Sequence, residues 1–282
     1  MLFASLALLA GGFFLQAFWF EPDSLIVAEY EITPPSWPGA LDGFKIAALG
    51  DVHAGAPFID RKKLEEVVHR ISSSRPDLIV WLGDYVIQGV FGGTFMEPEE
   101  AASILSRARA RYGQVAIIGN HDRWLDPARV ERAFERAGIP FLRWRDHGLT
   151  VNGVTLHLFG LDDFELSPNY WQRLEAAKSR WLSMPIDEPI VALSHNPDVF
   201  SWIPARVSLT LASHTHGGQV RLPLLGSLVV PSSFGQRFVR GHIVEDGRHL
   251  FVNTGLGTSI IPVRWSVPPE ISIVILRSPP PH

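Results

Sequence analysis

From Phe44 onward the chain repeats one pattern: a short apolar run without strict alternation, then a polar turn, then residues at helical spacing. The apolar runs cover residues 44–49, 78–82, 115–118, 190–193 and 209–212, and continuous runs of that length mark strands buried on both faces. Residues 61–74, 98–112 and 127–137 read as helices. The last has Asp126 as N-cap and Pro127 at its first position. Together these predict β-α units. The texture then changes. Residues 154–161 follow an Asn152-Gly153 turn, residues 238–244 and 249–253 flank Asp246-Gly247, and residues 270–276 alternate, which predicts hairpins and a second, more antiparallel sheet. The expected fold class is α/β, with two mixed β-sheets packed as a sandwich and flanked by helices.

The N-terminus has a different pattern. Residues 1–20 contain no charge, and only Ser5 and Gln16 are polar. At about 1.5 Å per residue such a helix reaches about 30 Å, so the pattern predicts a transmembrane anchor. The alternative is a greasy helix packed on the domain. A cleaved signal is disfavoured, because there is no Lys/Arg start and no convincing small-x-small site. No Lys or Arg precedes Lys45, so the positive-inside rule assigns no membrane face. Residues 21–43, with Pro22, Pro34, Pro35 and Pro38, read as a tether or short edge strand. The expected organisation is therefore an anchor at 1–20, the tether, a catalytic domain at 44–277 and a Pro-rich tail at 278–282. Membrane association through the anchor is the expected localisation.

Composition narrows the function classes. Hydrophobic residues make up 46% of the 282, enough for a large core, and the net charge of −4 argues against gripping nucleic acid by bulk electrostatics. The absence of Cys excludes disulfides, thiolate metal sites and thiol nucleophiles together. No obligate protein partner is evident.

Chemistry concentrates where the runs end. The first is followed by Gly50-Asp51-Val52-His53, the second by Gly83-Asp84, and the third by Gly119-Asn120-His121-Asp122. Ser194-His195-Asn196 follows the fourth, and Ser213-His214-Thr215-His216-Gly217-Gly218-Gln219 the fifth. The carboxyl ends of strands in an open α/β sheet form one rim, so these side chains should be neighbours. Carboxylate and imidazole together suit borderline divalent metals such as Mn, Fe and Zn, and two ions are satisfied if one carboxylate bridges. Only five of the 11 histidines fall in such turns, which separates them from His69, His147, His157, His242, His249 and His282.

In these residues the sequence resembles the calcineurin-like metallophosphoesterases, whose ordered motifs are D-x-H, G-D, G-N-H-D/E, a lone H and G-H-x-H. The resemblance covers roughly residues 40–276. It is strongest to a membrane-associated bacterial branch, in which some members act on UDP-2,3-diacylglucosamine and others are known only as general phosphodiesterases. One position departs: Ser213 stands where the family usually has Gly, which puts the local path of that loop in question.

Carried over, the resemblance implies two divalent metal ions, Mn first, with Fe or Zn as alternatives. One would be held by Asp51, His53 and His216, the other by Asn120, His195 and His214, with Asp84 bridging. His121 would stabilise the phosphoryl oxygens or protonate the leaving oxygen, with Asp122 holding its imidazole. The implied activity is hydrolysis of phosphodiester or pyrophosphate bonds, including those of a lipid-linked nucleotide sugar at the membrane. The competing readings are a phosphoprotein phosphatase or nuclease of the same fold, or a non-catalytic membrane-tethered scaffold.

Substrate-reading residues are sought in the C-terminal part, where six Arg follow Val220 against three acids. Arg221 and Arg264 are candidates for a phosphate fork, and surface arginines are the alternative. Val90, Phe91, Phe95 and Met96, set among Gly89, Gly92 and Gly93, suit an acyl chain or a bilayer surface, or else plug the core.

Overall fold

In a computed structural model the described residues are 2–280. Met1 lies outside them, as do Pro281 and His282 of the expected tail. The strands in chain order are β1 (Ile26–Ile32), β2 (Phe44–Leu49), β3 (Leu78–Trp81), β4 (Gln114–Ala116), β5 (Arg145–Val151), β6 (Val154–Gly160) and β7 (Ile190–Leu193). They continue with β8 (Leu209–Ala212), β9 (Arg221–Leu222), β10 (Gly226–Ser227), β11 (Gly241–Glu245), β12 (Arg248–Val252) and β13 (Glu270–Leu276). One sheet has the order β1-β13-β2-β3-β4. A second has the order β11-β12-β8-β7-β6-β5, and β9 and β10 form a small hairpin. The first sheet is parallel except where β13 meets β2, and the second except for its two edge pairs.

Side-chain alternation explains the layering. Along β2, Phe44, Ile46 and Ala48 point into a core shared with Leu156, Leu158, Val191 and Leu211 of the second sheet. Ala47 and Leu49 face the opposite way, towards Leu64, Val67 and Ile71 of the Arg61–Ser73 helix. The second sheet's outer face packs on Leu174, Ala177 and Trp181 of the Tyr170–Ser183 helix. The inner strands of both sheets are thus covered on both sides, which is why they are apolar runs, whereas the edge strands β1, β5 and β11 are partly exposed. β13 was expected to alternate, yet all seven of its residues are buried. The Pro98–Leu105 helix stops well short of residue 112, while Asp126 caps its helix as expected, accepting from the N–H groups of Ala128 and Arg129.

The expected N-terminal transmembrane helix, and the membrane localisation built on it, are not supported. Among the described residues no helix is long and apolar enough to cross a membrane. The α-helix Leu2–Leu15 has 14 residues, about 21 Å against a hydrocarbon core of about 30 Å. Beyond it, Gln16–Phe20 wind as a wider π-turn that docks on the domain. Ala17 is buried and its carbonyl accepts from the Arg264 N–H. The buried Glu21 carboxylate accepts from the Val267 N–H at 2.7 Å. Phe13 meets Trp265 and Trp19 meets Phe58. The segment that follows the Leu2–Leu15 helix is therefore pinned to the domain through Ala17, Trp19 and Glu21, although Trp19 and Phe20 stay largely exposed.

Candidate metal centre

The five strand ends converge, and the backbone there is bent hard. Asp51, His53, Asp84, His214 and His216 all have φ between +47° and +72°. Left-handed backbone is unfavourable for residues with a Cβ and collects at functional sites, where sharp turns aim successive side chains at one point. Two glycines let these turns touch. A Cβ on Gly83 would lie 2.6 Å from the Gly119 nitrogen, and one on Gly119 would lie 2.1 Å from an Asp84 oxygen.

Three overlapping groups of donor atoms result, each within 4.8 Å: Asp51-His53-His216, His53-Asp84-His121 and Asp84-His195-His214. Asp84 belongs to two of them. Its Oδ2 lies 3.3 Å from His53 Nε2 and 3.2 Å from His195 Nε2. Asn120 Oδ1 lies 3.1 Å from His195 Nε2, and His214 Nδ1 is 3.2 Å from that same nitrogen. Asp51 Oδ1 is 3.9 Å from both His195 Nε2 and His216 Nε2.

The donor set fits divalent cations. His53, His195 and His216 each place Nδ1 against a backbone carbonyl, of Thr258, Leu82 and Gly257 respectively. A carbonyl only accepts, so each Nδ1 carries the hydrogen and each Nε2 faces the cluster, where it can give a lone pair to a cation once that nitrogen is free of a proton. Burial, reinforced by the positive charge of His195, pushes His214 down to about 3, and burial holds His216 well below the usual imidazole range, so both are neutral donors. His195 behaves oppositely. Burial would lower it, but the carboxylates of Asp84 and Asp51 overcome that and raise it to about 10. The two buried carboxylates thus draw a positive charge into the cluster, which a cation would satisfy.

The surrounding contacts differ from expectation in three places. Ser213, the departure from Gly, donates its hydroxyl to Asp51 Oδ2, and the His214 N–H donates to the same carboxylate. Gly50 makes room for that serine, since a Cβ there would lie 2.3 Å from Ser213 Oγ. Asp122 does not hold the His121 imidazole. Its carboxylate accepts from the N–H groups of Asp84, Tyr85 and Gly119 at 2.8 to 3.0 Å, tying the second and third turns together. Burial, then the neighbouring Asp84 charge, push this carboxyl up to about 7. The His121 ring instead faces Gln88, a residue that no sequence motif singled out.

Neither arginine candidate enters the pocket. Arg264 is fully buried, and its guanidinium donates to the carbonyls of Thr254, Gly255, Gly257 and Val267, bracing the loop that carries the His216 partner. Arg221 is exposed beside a separate depression that includes Leu224 and Gln236.

The pocket over the cluster has a volume of about 220 Å³. Asp84, Asn120, His121, His214 and His216 form its floor, and Trp124, Val229, Pro231 and Ile260 form its wall. Of the apolar loop residues, Val90 and Met96 are buried, whereas Phe91 and Phe95 are exposed.

Fold and site together define a class. The sequence model of the calcineurin-like phosphoesterases matches residues 44–245, and the chain belongs to that family. The chain is 31% identical to the uncharacterized metallophosphoesterase YkuE of Bacillus subtilis, over 96% of its own length and 92% of that protein's. It is 28% identical to the phosphodiesterase YaeI of Escherichia coli, covering 83% of this chain and 82% of that one. Identity to the UDP-2,3-diacylglucosamine pyrophosphatase LpxG of Chlamydia trachomatis is 24%, covering 90% of each. Among solved structures, NAD nucleotidase of Haemophilus influenzae superimposes with a TM-score of 0.50 at 14% identity, and shares the fold alone. That match covers 76% of this chain and 50% of the nucleotidase. The chain is accordingly a phosphoesterase, a hydrolase whose family fold implies divalent metal ions.

Proposed function

We propose that the chain is a dinuclear metal-dependent hydrolase of phosphodiester or pyrophosphate bonds. The observation that carries this reading is that Asp84 lies in two donor groups, one with His53 and His121 and one with His195 and His214. Asp51, His53 and His216 would hold one ion, Asn120, His195 and His214 the other, and Asp84 would bridge. Bound there, two cations supply Lewis acidity to a phosphoryl group and to an attacking water. Manganese is the ion to load first, since mixed carboxylate, amide and imidazole donors suit borderline divalent metals.

The chain's own residues supply the rest. Among the described residues that line the pocket there is no Lys or Arg, so the pocket wall offers a phosphoryl group no competing side-chain cation. His121 sits on the pocket floor beside the cluster. Burial pushes its imidazole down to about 4, so the ring is neutral until an anionic phosphoryl group lies next to it and favours the proton. It is then placed to donate to the leaving oxygen. Asp122 and the two glycines keep the turns that bear Asp84 and His121 in register.

The full chain, stripped of metal and reloaded with manganese, should bind close to two ions and hydrolyse an aryl phosphodiester faster than an aryl phosphomonoester. Metal analysis and initial rates check this. A protein that binds no manganese, or that cleaves only the monoester, would overturn the reading.

The finer substrate class proposed is a pyrophosphate or diester attached to an acyl-bearing group. Trp124 (59% exposed), Val229 (73%) and Ile260 (78%) wall the pocket, and Phe91 (78%) adjoins them through its N–H to the Ile260 carbonyl. LpxG, by name a diacylglucosamine pyrophosphatase, is a relative of matching length. Replacing Phe91 and Ile260 together with Ser should lower kcat/KM for an acyl-bearing pyrophosphate at least about tenfold, since each buried large apolar side chain contributes about 1.5–3 kcal/mol. The rate on a water-soluble aryl diester should stay within a factor of two. Equal losses on both substrates would remove the acyl assignment.

A further inference from the structure

We propose that Gln88 is the positioning residue for His121, the part that the carried-over family pattern gives to Asp122. The inference rests on the proposed hydrolase reading, in which His121 protonates the leaving oxygen. It begins from a reciprocal contact. Gln88 Oε1 lies 3.2 Å from His121 Nδ1, and Gln88 Nε2 donates to the carbonyl of His121 itself, also at 3.2 Å. One amide therefore grips one residue at both its ring and its backbone, which fixes the ring's rotation relative to the main chain.

The chemistry of the amide sets the direction of the ring bond. An amide oxygen only accepts, so Nδ1 carries the hydrogen and Nε2 is the atom left for the pocket that His121 lines. The ring's other aromatic contacts are tilted or edgewise ones, with His53 at 4.9 Å and Trp124 at 4.5 Å between centroids. Those restrict its plane but choose no tautomer. Asp122 cannot substitute, because its carboxylate is occupied by backbone N–H groups of the neighbouring turns.

In the step this arrangement serves, the bond from phosphorus to the leaving oxygen breaks with its electron pair on oxygen. That oxygen takes the Nε2 proton of the doubly protonated ring. The ring is left neutral, still carrying Nδ1–H towards Gln88. The tautomer that the amide holds is thus the one that proton transfer produces.

The test uses the full chain loaded with manganese and a series of phosphodiesters whose leaving groups run from p-nitrophenyl to phenyl to a simple alkyl alcohol. A good leaving group departs without a proton and a poor one requires it, so general-acid positioning shows as leaving-group sensitivity. Gln88→Ala should lower kcat less than about threefold for p-nitrophenyl and at least about tenfold for the alkyl substrate, with KM and bound manganese unchanged. Gln88→Glu, which keeps the acceptor for Nδ1–H, should recover most of the alkyl rate. Gln88 is on the surface, so both variants fold. Equal losses across the series, or none, in Gln88→Ala overturn the inference if His121→Ala is itself leaving-group sensitive. If His121→Ala is flat across the series, the general-acid reading falls and this inference with it.

Discussion

Asp84→Asn is expected to abolish turnover, by about a thousandfold or more, while leaving the fold intact. The size follows from the position. Among the described residues Asp84 and His53 each occur in two donor groups of the cluster, and of the two only Asp84 is a carboxylate, whose two oxygens can serve both ions. Transition-state charge stabilisation by bound metal is worth several kcal/mol, and each 1.36 kcal/mol is a factor of ten in rate. Asn keeps the volume and keeps an Oδ1 that can accept the His121 N–H, a bond of 2.8 Å in the native chain. What it removes is a buried charge. In the metal-free protein that charge is compensated chiefly by His195, whose positive ring also holds the Asp84 carboxyl well below the usual range against the effect of burial. Removing one partner of a buried ion pair is costly where it strands the other charge, but here the stranded group is an imidazole that can release its proton, and Asp51 still faces His195.

The melting temperature of metal-free Asp84→Asn should therefore lie within a few degrees of the native value, and the rise that manganese gives the native protein should largely disappear. Calorimetry with and without manganese, with metal analysis of the same samples, checks both halves. A variant that still holds two ions and turns over normally would show that Asp84 does not bridge.

The sequence displays the strand ends because the folding problem and the chemical problem coincide there. β2, β3, β7 and β8 are buried on both faces, so each is a bare apolar run, and the first polar residue after it is where the chain leaves the sheet. At those exits the sharp φ values demand short turns, and the ligand-type residues occupy them. The Tyr170–Ser183 helix carried a signal that went unread: Tyr170, Leu174, Ala177 and Trp181 are its buried positions, at spacings of four, three and four. β5 holds few apolar residues and is legible only through its partner, since the Asn152-Gly153 turn fixes its register on β6.

Two features could not be read from the pattern. The apolar stretch of residues 1–20 has the composition of a span, and nothing in composition reveals that Ala17 and Glu21 bind backbone groups at residues 264 and 267. The pairing of His121 also eluded adjacency. Both His121 and Asp122 lie in the Asn120–Leu125 helix, where neighbouring side chains diverge by about 100°. A residue next in sequence is thus badly placed to hold the ring, and Gln88, 33 positions away, reaches it through the turn after β3.

His121→Ala is the second expected large loss, about 10² to 10⁴ in kcat, with both metal ions retained. The competing possibility is specific: His121 also falls in a donor group with His53 and Asp84, so it could be a ligand in its own right. The two roles separate on metal content. The contact His121 makes with Asp84 is through its backbone N–H, which alanine preserves, so the bridging carboxylate keeps its orientation in the variant. His53 is held independently by the Thr258 carbonyl, and Asn120, His195 and His214 by contacts that do not involve the His121 ring. The ring's one packing contact with a proposed ligand is with His53, 4.9 Å between centroids, and the Thr258 carbonyl still holds His53 in the variant. Two bound manganese ions with a rate loss that grows as the leaving group worsens is the expected result. One ion, or a loss of the same size for every leaving group, would make His121 a ligand or a positioning group and leave the leaving oxygen to be protonated by water.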